Sequence, residues 1–287
     1  MALTHETVAL SGVRLRVASL GAGPLVVLLH GFPDSSGTWH HQIGPLAEAG
    51  FRVVAPDLRG YGESDKPSGL AAYRLDALAQ DVVELIAAMG ETTACVVGHD
   101  WGGMIAWHTA LRHPGAIERL AILNAPPPWR FLGRPLPIDQ LARSWYVYAF
   151  QTPWLPEAAL GAFDFLSLRT MLPREAARAG AIDAAETQRM IDALAAPGAL
   201  TAALNYYRAL PVFGAFDAAR QADHLPIPLL VLWGEQDPHL APELAEVDAR
   251  RAPHARVVRF PEAGHWVHLD APARVTALLR EFLTGAC

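Results

Sequence analysis

The most informative segment of the chain reads Ala94-Cys95-Val96-Val97-Gly98-His99-Asp100-Trp101-Gly102-Gly103. Its first four residues form an apolar run typical of a strand buried on both faces, and residues 104–111 continue with helical spacing. Glycines two positions before and two positions after Asp100 permit a tight turn that forces the Asp100 side chain outward. The segment therefore predicts a buried strand, a sharp turn and a helix, with a carboxylate at the turn.

Similar apolar runs lie on both sides of this segment. They occupy residues 25–29, 51–55, 118–123, 228–233 and 256–260. Stretches with helical spacing separate or follow them, including residues 73–89 and a terminal helix over 272–283. Strands separated by helices of this length imply parallel βαβ units. Residues 13–17 alternate apolar and basic side chains, which predicts an edge strand.

The pattern changes between residues 127 and 223. β-Branched runs disappear there, and Ala, Leu, Arg and aromatic residues recur at helical spacing, with breaks at Pro156, Pro173 and Pro197-Gly198. We interpret this region as an inserted all-helical cap. The predicted organisation is an α/β core in two parts, 1–126 and 224–287, interrupted by a helical cap over 127–223.

The composition excludes several functional classes. Of 287 residues, 52% are hydrophobic and 18% charged, so the chain can bury a large core. The net charge of −6 and the lack of a basic run argue against nucleic acid and against an anionic membrane surface as partners. No apolar run is long enough to span a membrane, and residues 1–12 lack the pattern of a secretory signal. The two cysteines do not form a disulfide framework. We expect a cytoplasmic enzyme, monomeric or homodimeric, with no membrane attachment.

An aspartate at this turn indicates a particular chemistry. A carboxylate has an ordinary pKa of about 3.9, so Asp100 needs no base to ionise it at neutral pH. It is suited to attack an sp³ carbon that carries a leaving group, which gives an ester between enzyme and substrate. The alternative is that Asp100 caps the following helix, but a cap does not require the paired glycines. The neighbouring His99 is assigned a structural role.

The loop His30-Gly31-Phe32-Pro33 follows the apolar run at 25–29. In an open parallel sheet such a loop lies beside the active crevice. A nucleophile at a strand–turn–helix junction takes oxyanion donors from such a loop and from the residue after the nucleophile, which predicts the backbone N–H groups of Phe32 and Trp101. These donors would hold the oxyanion that forms when water attacks the ester on Asp100.

An acid and a histidine follow the last two predicted strands. Asp237 and His265 continue the order nucleophile, acid, histidine that begins with Asp100. We predict that His265 is the general base for the hydrolytic water and that Asp237 orients it. Glu235, His239 and His268 lie close in sequence and are rivals for these roles. A metal bound by His265, His268 and Asp270 is a further alternative; we reject it because His-x-x-His without a third patterned ligand is a weak signal. We therefore predict no metal and no cofactor.

The cap offers several tyrosines that could donate a proton to a leaving oxygen. Segments 144–151 and 205–208 contain Tyr146, Tyr148, Tyr206 and Tyr207. A phenol with a pKa near 10 is acidic enough to donate and stays protonated at pH 7. Composition alone does not choose among them.

Five segments together resemble an epoxide hydrolase of the α/β-hydrolase fold. They are His30-Gly31-Phe32-Pro33, Asp57-Leu58-Arg59-Gly60-Tyr61-Gly62-Glu63-Ser64-Asp65, Gly98-His99-Asp100-Trp101-Gly102-Gly103, Asn205-Tyr206-Tyr207-Arg208 and Gly264-His265-Trp266. The resemblance implies a mostly parallel sheet flanked by helices, and Tyr146 and Tyr207 as ring-opening donors, with Tyr148 two residues from the first. The loop 57–65 is interpreted as architectural, with Arg59 joining loops.

The predicted reaction opens an apolar or aryl epoxide with water to a vicinal diol. We expect an aromatic pocket lined by Phe32, Trp101, Trp145, Trp154 and Trp266. A haloalkane dehalogenase is the main alternative, but such enzymes resemble a pattern with Asn at the position of Phe32. A fluoroacetate dehalogenase is expected to carry arginines just after the nucleophile, where Trp101 and Met104 stand. A non-catalytic binding protein on this scaffold would have lost the nucleophile or the base.

Overall fold

An eight-stranded sheet forms the centre of the molecule. The structure is a computed structural model that describes residues 2–131, 136–212 and 224–285. In chain order the strands are β1 (Thr4–Ala9), β2 (Arg14–Gly21), β3 (Leu25–Leu29), β4 (Arg52–Pro56), β5 (Ala94–His99), β6 (Ile117–Leu123), β7 (Leu229–Gly234) and β8 (Ala255–Phe260). Their order in the sheet is β1-β2-β4-β3-β5-β6-β7-β8. The β1–β2 and β2–β4 pairs are antiparallel, and all other pairs are parallel.

Helices cover both faces of the sheet, which explains why its central strands are continuously apolar. The core helices are α1 (His40–Glu48), α2 (Leu75–Ala88), α3 (Trp101–Arg112), α10 (Val267–Asp270) and α11 (Pro272–Thr284). Along β3, Val27 and Leu29 pack with α2 and α3, whereas Val26 and Leu28 pack with α1 and α11. The alternation follows from the two-residue period of a strand.

The described residues between β6 and β7 form helices and no strand. These are α4 (Pro128–Phe131), α5 (Ile138–Arg143), α6 (Trp145–Ala149), α7 (Leu155–Glu175), α8 (Ala184–Ala195) and α9 (Ala199–Ala209). The backbone of α7 is not helical at residues 162–165. The predicted end of the cap, at residue 223, lies outside the described residues. Cys287 also lies outside them. No helix in the described ranges is long and apolar enough to cross a membrane.

The loop 57–65, interpreted from the sequence as architectural, contacts both a core helix and a cap helix. Arg59 forms a buried ion pair with Asp81 of α2, with Nε 2.7 Å from Oδ2, and its Nη1 donates to the carbonyl of Ala72. The hydroxyl of Tyr206, on α9, donates to the Arg59 carbonyl at 2.6 Å. These contacts fix the position of the cap helix that also carries Tyr207.

The strand predicted at residues 13–17 is present, but the prediction that it lies at the edge of the sheet is wrong. The corresponding strand, β2, lies inside the sheet because β1 pairs along its outer side, with Val8 opposite Leu15. The sequence pattern misses β1 because only Val8 among its six residues is buried. A strand exposed on both faces carries no apolar alternation from which it could be recognised.

Candidate active site

The sharp turn predicted at Asp100 is present between β5 and α3. The Asp100 backbone has φ 51° and ψ −119°, a strained conformation for a residue with a side chain. Gly102 is needed here because a Cβ on it would overlap the carbonyl oxygen of Leu29. The turn therefore brings α3 close against β3 and directs the carboxylate of Asp100 toward the end of the sheet that faces the cap.

Both predicted backbone donors bind the carboxylate of Asp100. The N–H of Phe32 donates to Oδ1 at 2.8 Å, and the N–H of Trp101 also hydrogen-bonds to this group. The Phe32–Pro33 peptide bond is cis. Gly31 is required for this approach because a Cβ on it would overlap the Asp100 side chain. Burial raises the pKa of Asp100, although the charge of His265 and the two N–H groups act in the opposite direction.

His265 lies between two carboxylates. Its Nδ1 is 2.7 Å from Oδ2 of Asp237, and its Nε2 is 3.6 Å from Oδ2 of Asp100. Burial lowers the pKa of His265, but Asp237, through charge and hydrogen bond, together with Asp100 outweighs this and raises it to about 9. At neutral pH the free protein therefore holds an imidazolium between the two aspartates.

A residue that the sequence analysis did not single out fixes Asp237. Asn124, which follows β6, donates from Nδ2 to Oδ2 of Asp237 at 2.8 Å and accepts from the Gly234 N–H. Oδ1 of Asp237 accepts from the N–H groups of His239 and Leu240. Burial by itself raises the pKa of Asp237, but the charge and hydrogen bond of His265, the charge of His239 and the Asn124 amide lower it below its ordinary value. The only sequence signal for Asn124 was its place directly after a strand.

Tyr146 and Tyr207 line the same cavity as Asp100, whereas Tyr148 does not. The rings of Tyr146 and Tyr207 are 5.9 Å apart between centroids. Burial and the charge of Asp100 raise the pKa of both phenols well above 10, so both stay protonated. Tyr148 is 59% exposed. Among the described cap tyrosines, Tyr206 is bound to the core instead, by its hydroxyl contact with Arg59.

Two apolar cavities meet at Asp100. The main cavity contains about 750 Å³ of empty space, including its open mouth, and Phe32, Trp145, Phe150, His265 and Trp266 line it. The side cavity contains about 460 Å³ and includes Trp101 and Met104 in its lining. Asp100, Tyr146 and Tyr207 line both cavities. The three predicted reacting groups therefore stand where the two cavities join.

One predicted lining residue lies elsewhere. Trp154 is 76% exposed and lines neither cavity, so its placement in the pocket is wrong. It precedes α7 with a left-handed backbone, φ 51°, which turns the indole to the surface. Trp101 is in the site, but in the side cavity, and Trp145 is at the mouth of the main cavity, where it is 68% exposed.

A cluster of possible metal ligands lies beneath His265. Within the described ranges, Asp34, His99 and His268 bring one ligand atom each to within 4.8 Å of one another, all buried. Two of the three side chains hydrogen-bond to the His265 segment: Asp34 accepts from the Trp266 indole, and Nε2 of His99 is 3.0 Å from the His265 carbonyl. Within the described residues, Nδ1 of His99 and Nδ1 of His268 are buried without a hydrogen-bond partner. Burial raises the pKa of Asp34 to about 8, so this carboxyl is mostly protonated at neutral pH. These properties fit a hydrogen-bonded support under His265 better than a cation site.

The rejected ligand set His265, His268 and Asp270 has separate partners. The Asp270 carboxylate accepts from the backbone N–H groups of Gly264, Ala177 and Arg178, and thereby holds the His265 loop against the cap. His268 contacts the hydroxyl of Thr38 through Nε2 at 2.8 Å. Each side chain therefore has a structural explanation in the contacts it makes.

Comparison with known proteins identifies the family to which this chain is similar. Residues 24–272 match the model of the α/β hydrolase fold family. AB hydrolase superfamily protein YfhM of Bacillus subtilis is 40% identical over 276 residues, which cover 95% of both chains. Epoxide hydrolase 3 of Xenopus tropicalis is 38% identical over 95% of this chain and 75% of its own length. Epoxide hydrolase A of Mycobacterium tuberculosis is 34% identical over 98% of both chains.

Solved structures show the same likeness. The crystal structure of an epoxide hydrolase from Bacillus megaterium with an inhibitor has a TM-score of 0.87 and 31% sequence identity, over 98% of this chain and all of that one. The fold and the family model together define an α/β hydrolase. Within that class, the chain belongs to the epoxide hydrolase family. The fold class and family inferred from the sequence motifs are thereby confirmed.

Proposed function

We propose that this protein hydrolyses apolar or aryl epoxides to vicinal diols through an ester on Asp100. The observation that carries the proposal is the junction of the two cavities, where the carboxylate of Asp100 and the rings of Tyr146 and Tyr207 form the shared lining. A nucleophile and two protonated phenols are the groups that ring opening requires. The names of the epoxide hydrolase relatives support an epoxide as the substrate.

In the first step the Asp100 oxygen that faces away from the backbone donors attacks an epoxide carbon. A C–O bond forms to the carboxylate as the ring C–O bond breaks, and Tyr146 and Tyr207 hydrogen-bond or protonate the released oxygen. Loss of the Asp100 charge removes part of what keeps the proton on His265. His265 then releases its proton, which restores the phenol, and the step ends with a neutral hydroxy ester and a neutral imidazole.

In the second step neutral His265 takes a proton from water as the water oxygen attacks Cγ of Asp100. The N–H groups of Phe32 and Trp101 already bind this carboxyl and would stabilise the oxyanion. When the ester bond breaks, one hydrogen of the water ends on the diol and the other on His265. The starting ion pair of His265 and Asp100 is regenerated.

The shape of the site supports the substrate class. Both cavities are lined mainly by aromatic and aliphatic side chains, so they favour apolar substituents. An epoxide with a substituent on each ring carbon would place one in each cavity, with the oxygen at the tyrosines. The Phe32 side chain packs edge-on against Tyr207 at 5.8 Å and offers no halide donor, which disfavours a dehalogenase.

A substrate panel tests the proposal. The purified protein is incubated with styrene oxide, a carboxylated epoxide and a matched haloalkane, and diol, alcohol and halide are quantified. We expect diol from styrene oxide, much slower turnover of the carboxylate, and no halide release. Halide release with no diol formation would contradict the proposal.

We further infer that the protein acts in the cytoplasm as a monomer or homodimer, on a small epoxide and water. Two cysteines in 287 residues do not supply the disulfide framework common in secreted domains. Cell fractionation and size-exclusion chromatography with light scattering test this. Recovery outside the cytoplasmic fraction, or a mass above that of a dimer, would contradict it.

A further inference from the structure

The main cavity contains an acid–histidine pair that the proposed reaction does not use. Glu175, at the end of α7 in the cap, and His239, in the loop after β7, both line the cavity together with Asp100 and His265. Nε2 of His239 is 3.0 Å from Oε2 of Glu175. No feature of the epoxide chemistry requires a second pair of this kind.

The position of the pair is fixed relative to the catalytic groups. The His239 ring lies 5.3 Å from the His265 ring and 5.4 Å from the Tyr146 ring, both edge-on, between centroids. The backbone N–H of His239 donates to Asp237, so the loop is tied to the catalytic acid. Glu175 therefore contacts an imidazole that itself packs against His265, and it lines the same cavity as Asp100.

The charge of the cavity favours one kind of ligand group. The described residues that line the two cavities include the carboxylates of Asp100 and Glu175 but no lysine or arginine. The side chains of Glu175 and His239 are 15% and 22% exposed. Within the described residues, Oε1 of Glu175 makes no hydrogen bond, so it can accept one. The His265 imidazolium balances one of these two carboxylates, so a negative charge remains. A cavity with this remaining charge and a vacant acceptor attracts hydrogen-bond donors and repels anions.

We propose that Glu175, held by His239, binds a hydroxyl group at the far end of the substrate. The preferred substrates are then epoxides whose apolar or aryl substituent ends in a hydroxyl, and carboxylated epoxides are excluded by charge. The orientation of the substrate rests on the proposed function, because the epoxide ring must lie at Asp100 for its substituent to reach Glu175. The recognition itself requires only that a diol or epoxide occupy the cavity.

Product-like diols test the subsite without turnover. Three probes are compared: 1-phenylethane-1,2-diol carrying a 4-methyl, a 4-hydroxymethyl or a 4-carboxyl group. Dissociation constants are measured by quenching of tryptophan fluorescence, with the unchanged protein, Glu175→Gln, Glu175→Leu and the control Glu243→Gln. Glu243 is exposed and lies outside both cavities, so its variant removes the same charge elsewhere.

With the unchanged protein and with Glu243→Gln, the hydroxymethyl probe should bind about tenfold more tightly than the methyl probe, a ratio of the order expected for a hydrogen bond to a charged group. The carboxyl probe should bind at least about tenfold more weakly. Glu175→Gln should remove most of the penalty against the carboxyl probe, and Glu175→Leu should abolish the hydroxymethyl preference.

The same ratios in all four proteins would overturn the proposal and would assign the pair to cap attachment alone. Failure of the proposed function gives a different result. In that case the substrate panel shows no diol formation, while the binding ratios still report on Glu175.

Discussion

Nε2 of His265 lies 3.6 Å from Oδ2 of Asp100, too far for a hydrogen bond but close enough for strong charge interaction. The histidine is thus an imidazolium while Asp100 is charged, and in the proposed reaction it becomes a base once Asp100 is esterified. In that reaction the nucleophile, together with Asp237, controls the protonation state of the residue that later activates water.

Asp100→Asn is expected to lower the pKa of His265 from about 9. The amide keeps the shape of the side chain but removes the negative charge that stabilises the imidazolium, so the proton is lost at lower pH. NMR titration of the imidazole nitrogens in both proteins measures this. An unchanged pKa would show that Asp237 alone holds the proton and that esterification does not switch His265.

His265→Gln should trap the ester. The variant retains Asp100 and both tyrosines, so ring opening proceeds with a proton from solvent in place of the His265 proton, but no base activates water in the second step. Intact-protein mass spectrometry after mixing with styrene oxide should show the protein plus one substrate mass. Undiminished steady-state turnover would refute the assignment of His265 as the base.

Removing one phenol hydroxyl should slow ring opening. Tyr207→Phe and Tyr146→Phe are each expected to lower kcat/KM by about 10²-fold, since general acid assistance contributes at least this much. Tyr148→Phe is the matched control, because that ring is exposed, and should stay within about twofold. Equal effects at all three positions would argue that the two tyrosines act only in packing.

The decrease of kcat/KM at low pH should follow the protonation of Asp100. Burial raises the pKa of this carboxyl, so the nucleophile is lost as pH falls through a value above the ordinary 3.8. The tyrosines do not limit activity below about pH 10, because their pKa values are raised as well. A pH profile corrected for spontaneous hydrolysis measures this, with circular dichroism to confirm folding. A midpoint at or below 3.8 would contradict a buried nucleophile.

The parts of the molecule that could be predicted from the sequence are those that depend on local sequence patterns. The strand runs, the glycine turn at Asp100 and the order of Asp100, Asp237 and His265 are local patterns, and the structure brings these residues together. Trp154 was misplaced because the direction of a side chain in a short loop depends on its backbone angles, which no periodicity encodes. The roles of Asn124, Glu175 and His239 could not be predicted because they arise only when distant loops meet.

The covalent route is the central claim, and one turnover in ¹⁸O-labelled water tests it most directly. With enzyme in excess over styrene oxide, water attacks Cγ of the esterified Asp100, so the label should enter the carboxylate of Asp100 and be absent from the first diol formed. Mass spectrometry of the peptide that contains Asp100, and separately of the diol, measures the ¹⁸O content of each. Label in the diol with none in Asp100 would mean that water attacks the epoxide directly, and would contradict the account.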